Sequence, residues 1–147
     1  MPLTRVEHWD TRAFHNFLLA REKAAFAWGA NDCALFAADG IKAMTGVDIA
    51  EDFRGKYSDE AGAFALIREL TGGMSVADAA VYCARKHELP EWPKPLLAQR
   101  GDLVVFTGAT GLLVAGLVHL NGRHIVAVGE GGLYRFPLTA IERAWHV

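Results

Sequence analysis

One cysteine in this sequence stands where a thiol could act as a nucleophile. Cys33 follows Asn31 and Asp32, both good helix N-cap residues, and opens a segment whose apolar positions Phe36, Ala37, Ile41 and Met44 share a face with it. A thiol at a helix start feels unpaired N–H groups and the positive end of the dipole, which favour thiolate and lower its pKa. The chemistry this points to is attack on a carbonyl, with an imidazole as base and then as acid to the leaving group. Packing is the competing reading, because free cysteine is among the most buried residue types and Cys33 begins an apolar stripe. Trp28, Asp32 and Tyr57 are candidates to line a cleft beside the thiol, although aromatic residues at a helix entry more often belong to a core.

Six histidines are available as a base. His119 and His124 flank Asn121-Gly122, the strongest short hairpin signal in the chain. With a two-residue turn there, Leu120 pairs with Arg123 and His119 lies opposite His124 on a shared face. The pair is a weak candidate for a proton or metal site, and otherwise two surface imidazoles near a turn. His8, His15 and His146 fall near termini or on a helix surface, and His87 follows an apolar stripe, so structural or solvent roles suit them. Asp102 could orient a base, although turn or cap duty fits it better. No H-E-x-x-H, paired-cysteine or carboxylate-rich loop marks a metal site, and no phosphate-binding glycine motif is present, so no metal and no cofactor are expected.

The elements that must position these residues change character midway. Four helices are expected: one over about 11–26 capped by Asp10, one opening at Cys33 and closing before Gly46, one capped by Ser58 and ended by Gly72-Gly73, and one opening with the capping-box-like Ser75-Val-Ala-Asp78. Pro90, Pro93 and Pro95 forbid continuation of the fourth. From Gly101 the period turns to that of strands, in DLVVF, LLVAGLVHL, RHIVAV, LYRF and a last stretch around ERAWHV. Helices first and antiparallel strands afterwards imply an α+β fold, helices packed on a C-terminal antiparallel sheet, in a single domain over residues 1–147.

Composition narrows the partners. The formal net charge is −2 with scattered Lys and Arg, so no basic stripe suits nucleic acid. GLLVAGLVHL is far short of the about 20 apolar residues of a membrane span. The N-terminus carries no secretory signature, which makes the cytoplasm the expected place of synthesis, with Cys33 and Cys83 kept as thiols.

The segment FAWGANDCALFAADGIKAMTGVD resembles the nucleophile helix of the NlpC-like cell-wall cysteine peptidases of the papain-like superfamily, most specifically at Trp28, Gly29, Asp32 and Cys33. QRGDLVVF looks like the Gly-Asp-Leu-Val segment that begins the peptidase sheet. A closer likeness, over nearly the whole chain, is to a small branch found in the tail gene modules of bacteriophages and prophages. It adds Arg54-Gly55-Lys56-Tyr57, a Gly-Gly after a helix, and the closing Arg143-Ala144-Trp145-His146-Val147. The resemblance implies Cys33 as nucleophile and a histidine opening the strand after Gly-Asp-Leu-Val. The matching stretch here is Val114-Ala115-Gly116-Leu117-Val118, so Val114 replaces the base and Val126 falls near the position that would orient it. His119, five residues from Val114, should face the other side of its strand. The expectation is a structural or assembly component of a phage or phage-like tail, near the hub or tip. It would be assembled in the host cytoplasm and dock through apolar and aromatic residues of its C-terminal strands. The alternative is an active peptidoglycan endopeptidase with Cys33 as nucleophile and His119 or His124 as substitute base.

Overall fold

The computed structural model describes residues 2–147. Helices α1 (Phe14–Arg21), α2 (Cys33–Thr45), α3 (Glu60–Thr71) and α4 (Val76–Lys86) precede strands β1 (Leu103–Thr107), β2 (Leu113–Val118), β3 (His124–Gly129), β4 (Gly132–Pro137) and β5 (Ile141–Trp145). The strands form one antiparallel sheet in the order β4-β3-β2-β1-β5, so the architecture is α+β with the helices N-terminal to the sheet. Among the described residues no helix is long and apolar enough to cross a membrane.

Local chemistry sets most helix ends, and tertiary contacts move one of them. Asp32 caps α2 through Leu35 N–H at 2.9 Å, whereas Asn31 braces the preceding loop by donating to the carbonyls of Ala24 and Ala25. Asp59, not Ser58, caps α3, accepting from Gly62 N–H at 2.7 Å. The Ser75–Asp78 capping box forms with aspartate as its acid. The first helix is shorter than its pattern: a π-helical turn over Trp9–Ala13 leads into α1, which stops at Arg21. Asp10 accepts from the adjacent Thr11 N–H and pairs with Arg100 at 3.5 Å, and caps nothing. The residues after Arg21 are drawn to the sheet, where Glu22 accepts from Leu133 N–H at 3.0 Å and Phe26 N–H donates to Gly129 at 2.9 Å.

The sheet is curled. β4 and β5 lie on opposite edges, yet only Leu138–Ala140 join them. Five flat strands at about 4.8 Å spacing would set those edges roughly 19 Å apart, while the steps from Pro137 to Ile141 reach at most about 14 Å. Curling gives the sheet an inside and an outside. Val104, Phe106, Val118, Ile125, Ala127, Ile141 and Ala144 fill the inside, closed over by Trp92, Tyr134 and Phe136. Leu103, Val105, Ala115, Leu117, Val126 and Val128 form the outside, which buries Phe36 and Ile41 of α2 and Ala80 and Ala84 of α4. Each fully buried Phe, Leu or Ile contributes about 1.5–3 kcal/mol. Gly40 lets α2 settle on β2, since a Cβ there would collide with Leu117.

The ladder between β2 and β3 is short. β1 and β2 pair over five positions and β3 and β4 over six, but β2 meets β3 only at Leu117↔Val126 and Val118↔Ile125. His119 N–H adds one bond to the His124 carbonyl at 2.8 Å, and the chain turns through residues 120–123. The expected two-residue turn is thus a four-residue connection, because the Asn121 side chain takes the N–H groups of Arg123 and His124 at 2.8 and 3.1 Å. The opposite halves of β2 and β3 diverge, and the sheet forks beside the start of α2.

Candidate functional cleft

The loop ahead of Cys33 is fixed by Asp32. This carboxylate is 2% exposed; one oxygen caps α2, and the other accepts from Gly29 N–H at 3.1 Å and Tyr57 Oη at 2.5 Å. Gly29 sits at φ +77°, and a Cβ there would strike the Tyr57 carbonyl oxygen, so both its conformation and its closeness exclude a side chain. Arg54, three residues before Tyr57, donates to Asp48 at 2.7 Å and to Asp39 at 2.7 Å, and Asp39 also takes Arg21 at 2.7 Å. Trp-Gly-x-x-Asp-Cys and Arg-Gly-x-Tyr are therefore two halves of one clasp.

Beside the clasp the fork opens into a cleft of about 560 Å³. Trp28, Asp32, Cys33 and Tyr57 all line it, as the sequence suggested. Cys83 of α4 lines it too, and Phe64, Met74, Leu112 and Tyr134 join from elements that motif reading had no reason to connect. Phe64, which the spacing places with Ile67 and Leu70 on the buried stripe of the third helix, is 39% exposed, and Met74 and Leu112 belong to no motif. Among the described residues, Asp32 and Glu60 are the only ones lining it with an ionisable carboxyl, and no Lys, Arg or His lines it.

This setting reverses the expectation for the thiol. Burial pushes Cys33 up to about 11, and the neighbouring Asp32 adds to the rise. The backbone N–H of Ala115 and those of Ala34 and Cys33 itself pull the other way, but the helix start does not outweigh the apolar walls. A group titrating near 11 is thiolate only to about one part in ten thousand at pH 7. Cys83 is pushed up to about 12, again mainly by burial. Neither cysteine is in a disulfide.

Among the described residues no imidazole lines the cleft. The sulfur of Cys33 meets the backbone of Ala115, and His119 is four residues further along the strand, about 13 Å at 3.3 Å per residue. His119 Nδ1 accepts from Asn121 N–H at 3.0 Å, and the Asn121 side-chain amide contacts His124 Nδ1 at 2.9 Å, so both rings belong to the hairpin tip. Burial, with Arg135 and His124 nearby, holds His119 below the usual imidazole range. His87 bonds Glu51, His146 bonds Asp102, His8 pairs with Glu7 and His15 is exposed on α1. The structure also shifts the expected frame by one residue. Val114 packs toward the inside of the curled sheet, and Ala115 is the residue on the Cys33 side. Alternation carries Val126 to that outer face and His119 with it, so distance, not facing, separates His119 from the thiol.

Asp102, which opens β1, has no contact with this cleft and ties the termini together instead. Its buried carboxylate accepts from Arg5 Nη2 at 2.9 Å, Trp92 Nε1 at 2.8 Å, Gln99 N–H at 2.8 Å, Val147 N–H at 3.1 Å and His146 Nδ1 at 3.1 Å. Of the aromatic residues of the C-terminal strands, Trp145 is buried, while Tyr134 and Phe136 are partly buried against the inside of the sheet and Tyr134 also reaches the cleft. Four exposed apolar side chains stand around the cleft, Met74 at 68% and Leu112 at 69% exposure with Phe64 and Leu113 also open, while Val6, Leu19, Leu96 and Leu97 are exposed elsewhere. Among the described residues no group of three or more His, Cys, Asp and Glu is placed to hold a metal ion.

Fold and site together define an α+β domain with a forked antiparallel sheet and an apolar cleft holding a neutral thiol. Residues 4–147 match the family described as Domain of unknown function (DUF6950), and the chain belongs to that family. No curated protein and no solved structure matches it.

Proposed function

We propose that this chain is a structural or assembly component of a phage or phage-like tail, near the hub or tip, in which an NlpC-like peptidase fold serves binding instead of hydrolysis. The tail assignment follows from the likeness of Trp28-Gly29-x-x-Asp32-Cys33, Arg54-Gly55-Lys56-Tyr57 and Arg143-Ala144-Trp145-His146-Val147 to tail-module proteins. One observation carries the non-catalytic part: the Cys33 sulfur faces the backbone of Ala115, with no imidazole in the cleft to take its proton. Asp32, the residue next to Cys33, and Tyr57 are already bonded to each other. Mass spectrometry of purified tails from a host carrying the gene module should find the protein in the particle or in its assembly intermediates. Its absence from both would remove the reading.

The competing reading is a peptidoglycan endopeptidase with Cys33 as nucleophile, favoured by a cysteine at a helix start opening onto a cleft. Purified protein should release no peptides from peptidoglycan. Turnover that Cys33→Ala abolishes would establish the enzyme and end the binding-only proposal.

A further inference from the structure

We propose that the fork between β2 and β3 accepts one extended, apolar peptide segment of a partner protein, neutral or cationic where it passes Glu60. This rests on reading the cleft as a binding site, and it adds the chemistry of what is bound.

Backbone direction carries the first part. Gly101 N–H donates to Val118 O at 2.8 Å and Val118 N–H to Asp102 O at 3.0 Å, so the peptide group of Val118 faces β1. His119 N–H donates to His124 O, so the next residue faces β3. Alternation along an antiparallel strand then turns the peptide groups of Ala115 and Leu113 toward β3 as well. There β3 has moved away, since the ladder stops at Leu117↔Val126. The peptide group of Val128, on the other arm, faces back across the same gap by the same rule. The Ala115 N–H is held by the Cys33 sulfur, a weak acceptor that fills one position of the missing ladder. A strand edge turned toward an open, apolar wedge is the arrangement by which sheets recruit a further strand.

The lining selects the side chains. Phe53 from the connection after α2, Ile67 from α3 and Ala79 from α4 line the cleft, and Phe64, Met74 and Leu112 stand exposed at its mouth, so alternate residues of an incoming strand meet apolar surface both inside and outside. Charge narrows the class further. With no basic lining residue, a fatty-acid carboxylate or an acidic stem peptide finds no partner, while the exposed Glu60 favours a Lys or Arg on the segment. The start of α3 is no anion site either, because Asp59 already occupies its Gly62 N–H.

The test uses the full chain and a fluorescein-labelled, amidated pentapeptide of valine and isoleucine ending in lysine, read by fluorescence anisotropy. Saturable binding is expected. N-methylation of alternate peptide nitrogens should weaken it about tenfold, the loss of one or two backbone hydrogen bonds. At low salt Glu60→Lys should weaken the lysine-ended peptide about threefold and favour a glutamate-ended one. Absence of peptide binding, or uptake of oleate that the peptide does not compete, would overturn the proposal. So would peptide affinity unchanged by N-methylation. Each readout is independent of whether the protein occurs in tails, so failure here leaves the tail assignment standing, and failure of that assignment leaves peptide binding to be judged by itself.

Discussion

Asp102 and Cys33 sit in the two most distinctive sequence motifs of the chain, and the fold treats them in opposite ways. Asp102 is 0% exposed and is surrounded by five donors drawn from residues 5, 92, 99, 146 and 147. Cys33 lies in a cleft with apolar walls, and only backbone N–H groups are directed at its sulfur. A buried charge needs partners to persist, whereas a thiol stays neutral without them. Polar partners converge on groups such as Asp102 that hold segments together, and Cys33, the candidate nucleophile, is left unactivated.

Breaking the Asp102 knot should have the largest effect. Asp102→Ala removes the carboxylate paired with the Arg5 guanidinium, which keeps the carbonyls of Val147 and Arg100, and takes the acceptor from the Trp92 indole N–H, so it should lower unfolding free energy by about 3 kcal/mol in urea titrations. Asp102→Asn, which keeps an acceptor oxygen, should lose less. Equal and small losses for both would mean that the knot does not carry the joining of the termini.

On the other side of the comparison, alkylation of Cys33 by iodoacetamide should be about a hundredfold slower at pH 7 than that of a free cysteine, with its rate rising toward pH 11. The measurement is made in Cys83→Ala, so that one thiol reports. A midpoint near 7 would reveal a proton acceptor that the geometry does not contain.

The helices and strands were legible because their signals are local. Asp32, the Ser75–Asp78 box and the change of period after Gly101 act within a few residues, and each does what its spacing implies. The end of α1 was not legible, since Leu133 and Gly129, more than a hundred residues away, capture the chain after Arg21. The cleft was half legible. Trp28, Asp32, Cys33 and Tyr57 belong to motifs, but Phe64, Met74 and Leu112 come from separate elements and meet only through tertiary packing, and nothing in a strand's own sequence says where its neighbour leaves it. The pKa of Cys33 went the wrong way for a related reason: the helix start is written in sequence, and the apolar enclosure is a property of the fold.

Tyr57→Phe sharpens the comparison at a smaller scale. Removing the hydroxyl leaves one lone pair of Asp32 without its donor while the cap on Leu35 and the bond from Gly29 remain, so a loss of about 1.5 kcal/mol is expected. Because the hydroxyl is bonded to the carboxylate and not directed at the sulfur, the alkylation rate of Cys33 should change by less than about threefold. A larger change would place Tyr57 in the chemistry of the thiol.

Asp48 supplies the least of these effects and a carboxylate of a third kind, partnered near the surface. Arg54 donates to both of its oxygens, at 2.7 and 3.1 Å, and holds it below the usual carboxylate range. A carboxylate whose folded pKa is depressed contributes stability that is complete above its unfolded pKa, near 3.9, and is lost as pH falls through the folded value. Because the pair is open to solvent, that contribution is about 1 kcal/mol or less. Asp48→Asn should therefore lower the urea midpoint at pH 7, with the gap to the parent protein shrinking as pH falls below about 3.9 and the gap at pH 7 narrowing in high salt. A gap that persists undiminished at pH 3 would assign the loss to the Ala50 N–H bond that Asp48 also accepts, at 3.0 Å, and not to its charge.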